Sequence, residues 1–292
     1  MRKEEFIAVS TKNEFLKKFI PYYYFYETFD DDFYNSFDYY PHFRCGLTVY
    51  KNSDVTWDAD TRYINQIEGK NTVIFTKNIK TKHIAVDKGV INKICIAFEP
   101  LGINHFIDTQ LCDLGTESLC YFDYFGSPFL DACEKVHSTA DINQKTAILD
   151  AFFLSKYQPF SETRMTVAVK ILLNKDESMT IQKLSDLVGV NRKTLNRLFQ
   201  KHLCCSPISF KKIIKFRSAL NQHQATNSSK NLTDIAYDNH YYDQSEFINH
   251  CKKLTGLSPK SFFSEIQQRG SVDIYWSIKK PEAVPNDQLN YA

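Results

Sequence analysis

Ile181-Gln-Lys-Leu-Ser-Asp-Leu-Val-Gly-Val-Asn-Arg-Lys-Thr-Leu-Asn-Arg-Leu-Phe199 reads as two short helices joined by a tight turn. Thr180 can cap the first helix, which carries Ile181, Leu184 and Leu187 at helical spacing. Gly189 supplies the turn, because a residue without Cβ takes a positive φ easily. Asn191 can cap the second helix, which buries Leu195, Leu198, Phe199 and Leu203. Its other face carries Arg192, Lys193, Asn196, Arg197, Gln200 and Lys201, with no acid among them. Side-chain amides can bond adenine bidentately and arginine reads guanine, and the major groove is wide enough to admit a helix.

The pattern occurs twice. Cys205-Ser206-Pro207-Ile208-Ser209-Phe210 recurs 52 residues later as Leu257-Ser258-Pro259-Lys260-Ser261-Phe262. In both copies Ser can cap a helix whose first residue is Pro, which lacks the N–H that a helix start leaves unpaired. Ahead of the second copy, Thr233 can cap a helix with Ile235 and Ala236, and Asp243 with Glu246 makes a capping box for the next. That helix buries Phe247, Cys251 and Leu254 and exposes Gln244, Ser245, Asn249, Lys252 and Lys253.

Charge separates this region from the rest. The 292 residues sum to +2, but residues 175–280 carry 17 basic and 9 acidic side chains, and residues 1–130 carry 14 and 18. A basic C-terminal third suggests a polyanionic partner. With 43% hydrophobic and 24% charged residues the chain is of ordinary globular composition. No run approaches the roughly 18 apolar residues of a membrane span, and the N-terminus has no apolar signal core. No membrane association is therefore expected, the location is the cytoplasm, and the eight cysteines read as reduced thiols.

The front of the chain is strand-like. Runs at 43–51, 72–76 and 93–98 are separated by turn material, which predicts a small antiparallel sandwich or barrel. From about Pro128 the period becomes helical, Tyr157–Ser161 reads as a linker, and the end from Lys280 is polar. The expected organisation is α+β in two domains. Residues 1–127 form a β-rich domain, 128–164 a helical linker, 165–268 an all-α double helix-turn-helix domain, and 269–292 a loose tail.

The segment 181–199 with Ser206-Pro207 resembles the DNA-binding domain of AraC/XylS-type bacterial transcription regulators. So do Leu232–Ala236, Asp243–Phe247 and Lys252–Pro259. The resemblance spans about 165–268 and implies two helix-turn-helix units joined by a long helix, here about 207–222. Recognition helices at about 191–203 and 244–254 are then expected in successive major-groove segments of double-stranded DNA. The resemblance assigns base reading to Lys193, Asn196 and Arg197 in the first helix, and to Gln244, Ser245, Glu246, Ile248 and Asn249 in the second. Phosphate contacts fall to Arg192, Lys201, Lys252 and Lys253. It also implies RNA polymerase as a partner, a possible homodimer and a nucleoid-associated protein. Departures are His240-Tyr241 where Gly-Phe is usual, Asn249 and Cys251 where Arg and Phe are usual, and Cys204 where Gly is usual.

Ile94–Phe106 is similar to a signature of the cupin-like sensor domains often fused to such helices. In it Pro100 ends a strand, Gly102 permits a tight turn and Phe106 returns a ring to the core. The aromatic residues 21–26, with Phe33, Tyr34, Phe37, Tyr39 and Tyr40, could line a pocket for a flat small-molecule effector. His42, His83 and His105 are isolated and lack the H-x-H spacing of metal cupins, so no metal or cofactor is expected. Asp30-Asp31-Asp32 reads as a solvated loop. No nucleophile elbow, phosphate loop or dinucleotide fingerprint is present, so no enzymatic activity is expected. The competing readings are a cupin-type metal enzyme tethered to nucleic acid and a partner-binding module without a small ligand.

Overall fold

The computed structural model describes residues 3–77, 81–115, 117–174, 179–226, 230–270 and 272–279. Among the described residues, ten strands from the front of the chain and two from beyond the helical region form two six-stranded sheets packed face to face. One has the order β1 (Glu4–Ser10), β2 (Tyr22–Thr28), β9 (Asn92–Phe98), β4 (Cys45–Lys51), β7 (Thr72–Thr76) and β10 (Leu119–Tyr121). The other runs β11 (Gln267–Arg269), β12 (Ile274–Lys279), β3 (Tyr34–Tyr39), β8 (His83–Lys88), β6 (Thr61–Gln66) and β5 (Ser53–Asp58). All pairs are antiparallel except β6 with β8, which is parallel.

Both faces of the first sheet are buried, so its central strands do not alternate between apolar and polar residues. In β2, Tyr23 and Phe25 face the cluster made with α1 (Gly126–His137) and α2 (Ile142–Lys156), while Tyr26 turns inward between the sheets. In β9 the even-numbered Ile94, Ile96 and Phe98 join the helical side. Lys93, Cys95 and Ala97 face the space between the sheets. Gly102 follows β9 with an ordinary negative φ. Gly102 closes the expected tight turn by donating its N–H to the Glu99 carbonyl (2.7 Å), and a Cβ there would come within 2.3 Å of the Phe19 carbonyl oxygen, so close backbone approach demands glycine. Phe106 is buried in the core.

The helical region comprises α3 (Thr163–Leu173), α4 (Ile181–Leu187), α5 (Arg192–Leu203), α6 (Pro207–Ala225), α7 (Leu232–Asp238), α8 (Gln244–Thr255) and α9 (Pro259–Glu265). Two separate cores hold it, one in each half. Each recruits a residue from the front domain: Leu101 enters the first core and Tyr40 the second.

The expected loose tail is not loose over 272–279. After α9 the chain turns back, and β12 pairs with β3 of the front sheet, Trp276 opposite Tyr39 and Ile278 opposite Phe37. Trp276 stacks on Phe37 with ring centroids 4.3 Å apart and meets Tyr26 edge-on. The physical reason is the free edge of β3, whose backbone groups need partners, together with an apolar pocket that buries an indole. Residues 280–292 of that tail lie outside the described residues. Just ahead of β12, Asp273 accepts from His42 Nε2 (2.9 Å) and Arg44 Nη1 (2.5 Å), and its backbone carbonyl accepts from Arg217 of α6. Burial alone would raise the Asp273 carboxyl, but His42, Arg44 and Arg217 outweigh it and hold the group well below the usual range.

Candidate nucleic-acid interface

In the first unit Thr180 Oγ1 accepts from the Lys183 N–H at 3.1 Å, and Asn191 Oδ1 accepts from the Thr194 N–H at 2.8 Å. Gly189 joins the two helices with φ +70°. Leu195, Leu198, Phe199 and Leu203 of α5 pack on α3 residues and on Phe210 and Ile214 of α6. That burial turns Arg192, Lys193, Asn196, Arg197 and Gln200 outward, and all five are exposed. Cys204 closes α5 in the left-handed region at φ 55°, the backbone state for which glycine is the usual residue.

Lys201 is half-buried. It stands at the seam with the front domain, where Asn104 Nδ2 donates to the His202 carbonyl (3.1 Å) and the rings of Phe160 and His202 lie 5.0 Å apart. Arg197, Gln200 and Lys201 line a cleft whose other wall is formed by Gln110 and Cys112. α5 therefore offers its N-terminal part to solvent and leans its C-terminal end on the front domain.

In the second unit the cap of α7 is Asn231, whose Oδ1 accepts from the Asp234 N–H at 2.8 Å; Thr233, the expected cap, instead donates to Gln244 Oε1 at 2.9 Å. Asn231 wins because it sits one residue before the first helical turn, where its short amide reaches the free N–H. His240 makes the turn at φ 65°, and Tyr241 is buried behind it. Asp243 accepts from the Glu246 N–H (2.7 Å), and Glu246 reaches back to the Tyr242 N–H (2.8 Å). Phe247, Cys251 and Leu254 are buried, leaving Ser245, Glu246, Asn249, Lys252 and Lys253 exposed and Gln244 and Ile248 half-buried. Glu246 and Gln244 thus already have partners within the chain.

Sequence reasoning overlooked the groove between the units. It is lined by Lys211, Lys212 and Lys215 of α6 and by Asn249, His250 and Lys253 of α8. Lys211 Nζ donates to the Met179 carbonyl (2.6 Å), and Lys215 lies 4.0 Å from the centre of the Tyr241 ring and 3.5 Å from Glu246. Burial, reinforced by Lys212 and Lys215, pushes the His250 imidazole down to about 4, so this base stays neutral beside the lysines. The signal was present as three lysines, Lys211, Lys212 and Lys215, within little more than one turn of the joining helix, but their convergence with α8 is tertiary.

The three isolated histidines have ordinary roles. His42 bonds Asp273, His83 stacks on Tyr39 with centroids 5.7 Å apart, and His105 Nδ1 accepts from the Phe160 N–H. Among the described residues no helix is long and apolar enough to cross a membrane.

The profile of one protein family, described as a helix-turn-helix domain, matches residues 184–265. No curated protein matches the sequence. Among solved structures, the chain is similar to ToxT from Vibrio cholerae with an unsaturated fatty acid bound, at 12% identity and TM-score 0.48, covering 90% of this chain and 97% of that one. A second ToxT structure from Vibrio cholerae, at 1.65 Å resolution, gives 11% identity and TM-score 0.43 over 89% and 97% of the chains. A third, with (E)-4-(8-methylnaphthalen-1-yl)but-3-enoic acid bound, gives 13% and 0.42 over 89% and 97%. With two capped helix pairs and the family match across both, residues 184–265 form a helix-turn-helix domain.

Proposed function

We propose that α5 and α8 enter successive major-groove segments on one face of duplex DNA. Lys193, Asn196 and Arg197 read base edges from the first helix; Gln244, Ser245, Glu246, Ile248 and Asn249 occupy the corresponding places in the second. Arg192, Lys201, Lys252 and Lys253 hold phosphates and set the register. The observation that carries this is the exposed face of α5, where cations and amides stand together on a helix fixed by its own cap and core. We add Lys212 to the phosphate contacts, because it is exposed in the groove between the units.

Selectivity is stronger in the first helix on this reading, since Gln244 and Glu246 are engaged by Thr233, Tyr242 and Lys215. The front domain is a sensor that holds a small-molecule effector between its sheets, and it also pairs two copies of the chain. The chain acts as a DNA-binding transcription regulator of the AraC type, works with RNA polymerase on the bacterial nucleoid in the cytoplasm and has no catalytic activity of its own. Selection of the full-length protein against a random oligonucleotide pool tests the central claim. One enriched motif with two half-elements about one helical turn apart (~34 Å) is expected, and recovery of unenriched sequence would refute it.

A further inference from the structure

The groove between the two helix-turn-helix units has two unlike sets of lining residues. Met179, Ile181 and Ile208 are apolar, and Ile208 leaves 49% of its surface uncovered. Lys211, Lys212, Lys215 and Lys253 are cationic, and the space holds about 460 Å³, a size that admits a small molecule. Glu246 is the only acid among the described residues that line it. Lys215 takes that carboxylate at 3.5 Å, and Lys211 donates to the Met179 carbonyl. Lys212 and Lys253 are exposed, and no ion pair among the described residues includes either. Four ammonium groups thus share one groove with a single counter-charge, and their mutual repulsion is relieved by an anion.

His250 adds a second, independent feature. Its Nδ1 lies 2.8 Å from the Tyr241 hydroxyl, while its Nε2 is buried with no hydrogen-bond partner among the described residues. With the phenol donating to Nδ1, Nε2 carries the proton of the neutral ring and is a donor still lacking an acceptor. Clustered cations with a spare N–H suit an anion whose oxygens and charges lie close together. A di- or triphosphate chain concentrates both within a few bonds. A duplex instead spreads its charges along the helix axis and keeps its bases stacked, so it leaves the apolar side of the groove bare. The flat face of a free base can cover Ile181 and Ile208.

We propose that this groove binds a nucleoside di- or triphosphate, its phosphate chain on Lys212, Lys253 and His250 and its base against Ile181 and Ile208. The site is separate from the space between the sheets and asks nothing of the front domain. Lys253 and Asn249 also line the groove. A bound nucleotide therefore keeps duplex off the second unit, a consequence that rests on the DNA-binding reading.

Isothermal titration calorimetry of the full-length protein tests this, at about 0.15 M salt so that diffuse attraction is screened. ATP, AMP, adenosine and inorganic tripolyphosphate serve as probes. The expected result is saturable binding of ATP, with AMP and adenosine each roughly 10-fold or more weaker and tripolyphosphate also weaker than ATP. Lys212→Ala and Lys253→Ala should each weaken ATP roughly 10-fold, and Ile208→Ser should bring ATP down to the tripolyphosphate value. Both lysines are exposed, so an unchanged thermal midpoint is expected and controls for folding. Lys260→Ala removes an exposed lysine of α9 outside the groove and should change nothing. No saturable ATP binding, adenosine as tight as ATP, or a loss in Lys260→Ala equal to that in Lys212→Ala overturns the site. Tripolyphosphate as tight as ATP overturns the nucleoside assignment. Added ATP should also release the selected duplex, and ATP that binds without releasing it overturns the exclusion. None of these outcomes alters the oligonucleotide selection, on which the DNA reading itself depends.

Discussion

Trp276 lies flat on Phe37, ring centroids 4.3 Å apart, although the whole helix-turn-helix region stands between them in the chain. The contact makes the front domain composite: its second sheet is completed by residues that follow α9. Tyr40 strengthens the tie, with its hydroxyl 2.6 Å from Ser277 Oγ and its ring 4.7 Å from Phe262 of the second unit.

Trp276→Ala should therefore destabilise the protein by about 3–5 kcal/mol, the range for removing a large aromatic from a packed core. Urea denaturation checks this, and a loss below about 1 kcal/mol would show that the strand is an ornament on the sheet.

The proposed DNA interface calls for two kinds of cation. Arg197→Ala should cost about 1–3 kcal/mol on the selected site and relax preference at one base pair, whereas scrambled duplex should be bound nearly as before. Lys252→Ala should weaken both duplexes equally and lower the salt slope by about one. Fluorescence anisotropy at several salt concentrations distinguishes them, and an equal loss on both duplexes for Arg197→Ala would make it a phosphate contact.

Two glycines should respond differently to alanine. Gly102→Ala places a Cβ 2.3 Å from the Phe19 carbonyl oxygen and 2.8 Å from that of Glu99, so the loops must part, at a cost of about 3 kcal/mol. Gly189→Ala meets open space and suffers only from its φ of +70°, about 1–2 kcal/mol. Thermal midpoints should rank Gly102→Ala below Gly189→Ala; the reverse order would contradict the close approach.

Acid should destabilise the protein well before its carboxylates titrate. Burial, with help from Arg217, pushes His42 down to about 3, and burial with neighbouring lysines pushes His137 and His250 down to about 4. These folded values lie below the unfolded value of about 6.5, so the unfolded chain takes up protons first. Stability is intact above about pH 6.5 and falls as pH drops toward 4, by about 2 kcal/mol or more between pH 6.5 and 5. The depressed Asp273 carboxyl adds a further loss below about pH 3.9. Denaturant midpoints across that range decide the matter; a flat profile above pH 5 would refute it.

Local rules carried far in this sequence. Thr180, Asn191, Ser206, Asp243 and Ser258 each cap the helix that follows them, because a cap needs only a side-chain oxygen a few residues from a free N–H. The apolar period of α5 and α8 chose their buried faces, and with those the residues left exposed. Strand pairing obeys no such short range. Ile274-Tyr275-Trp276 carries strand-forming residues, yet nothing nearby states that their partner is Tyr39 of another domain. Chain-local hydrogen bonds and helical periodicity were thus determined by the sequence alone. The composite sheet and the lysine groove were decided by the tertiary structure, since each arises only where distant segments exclude water together.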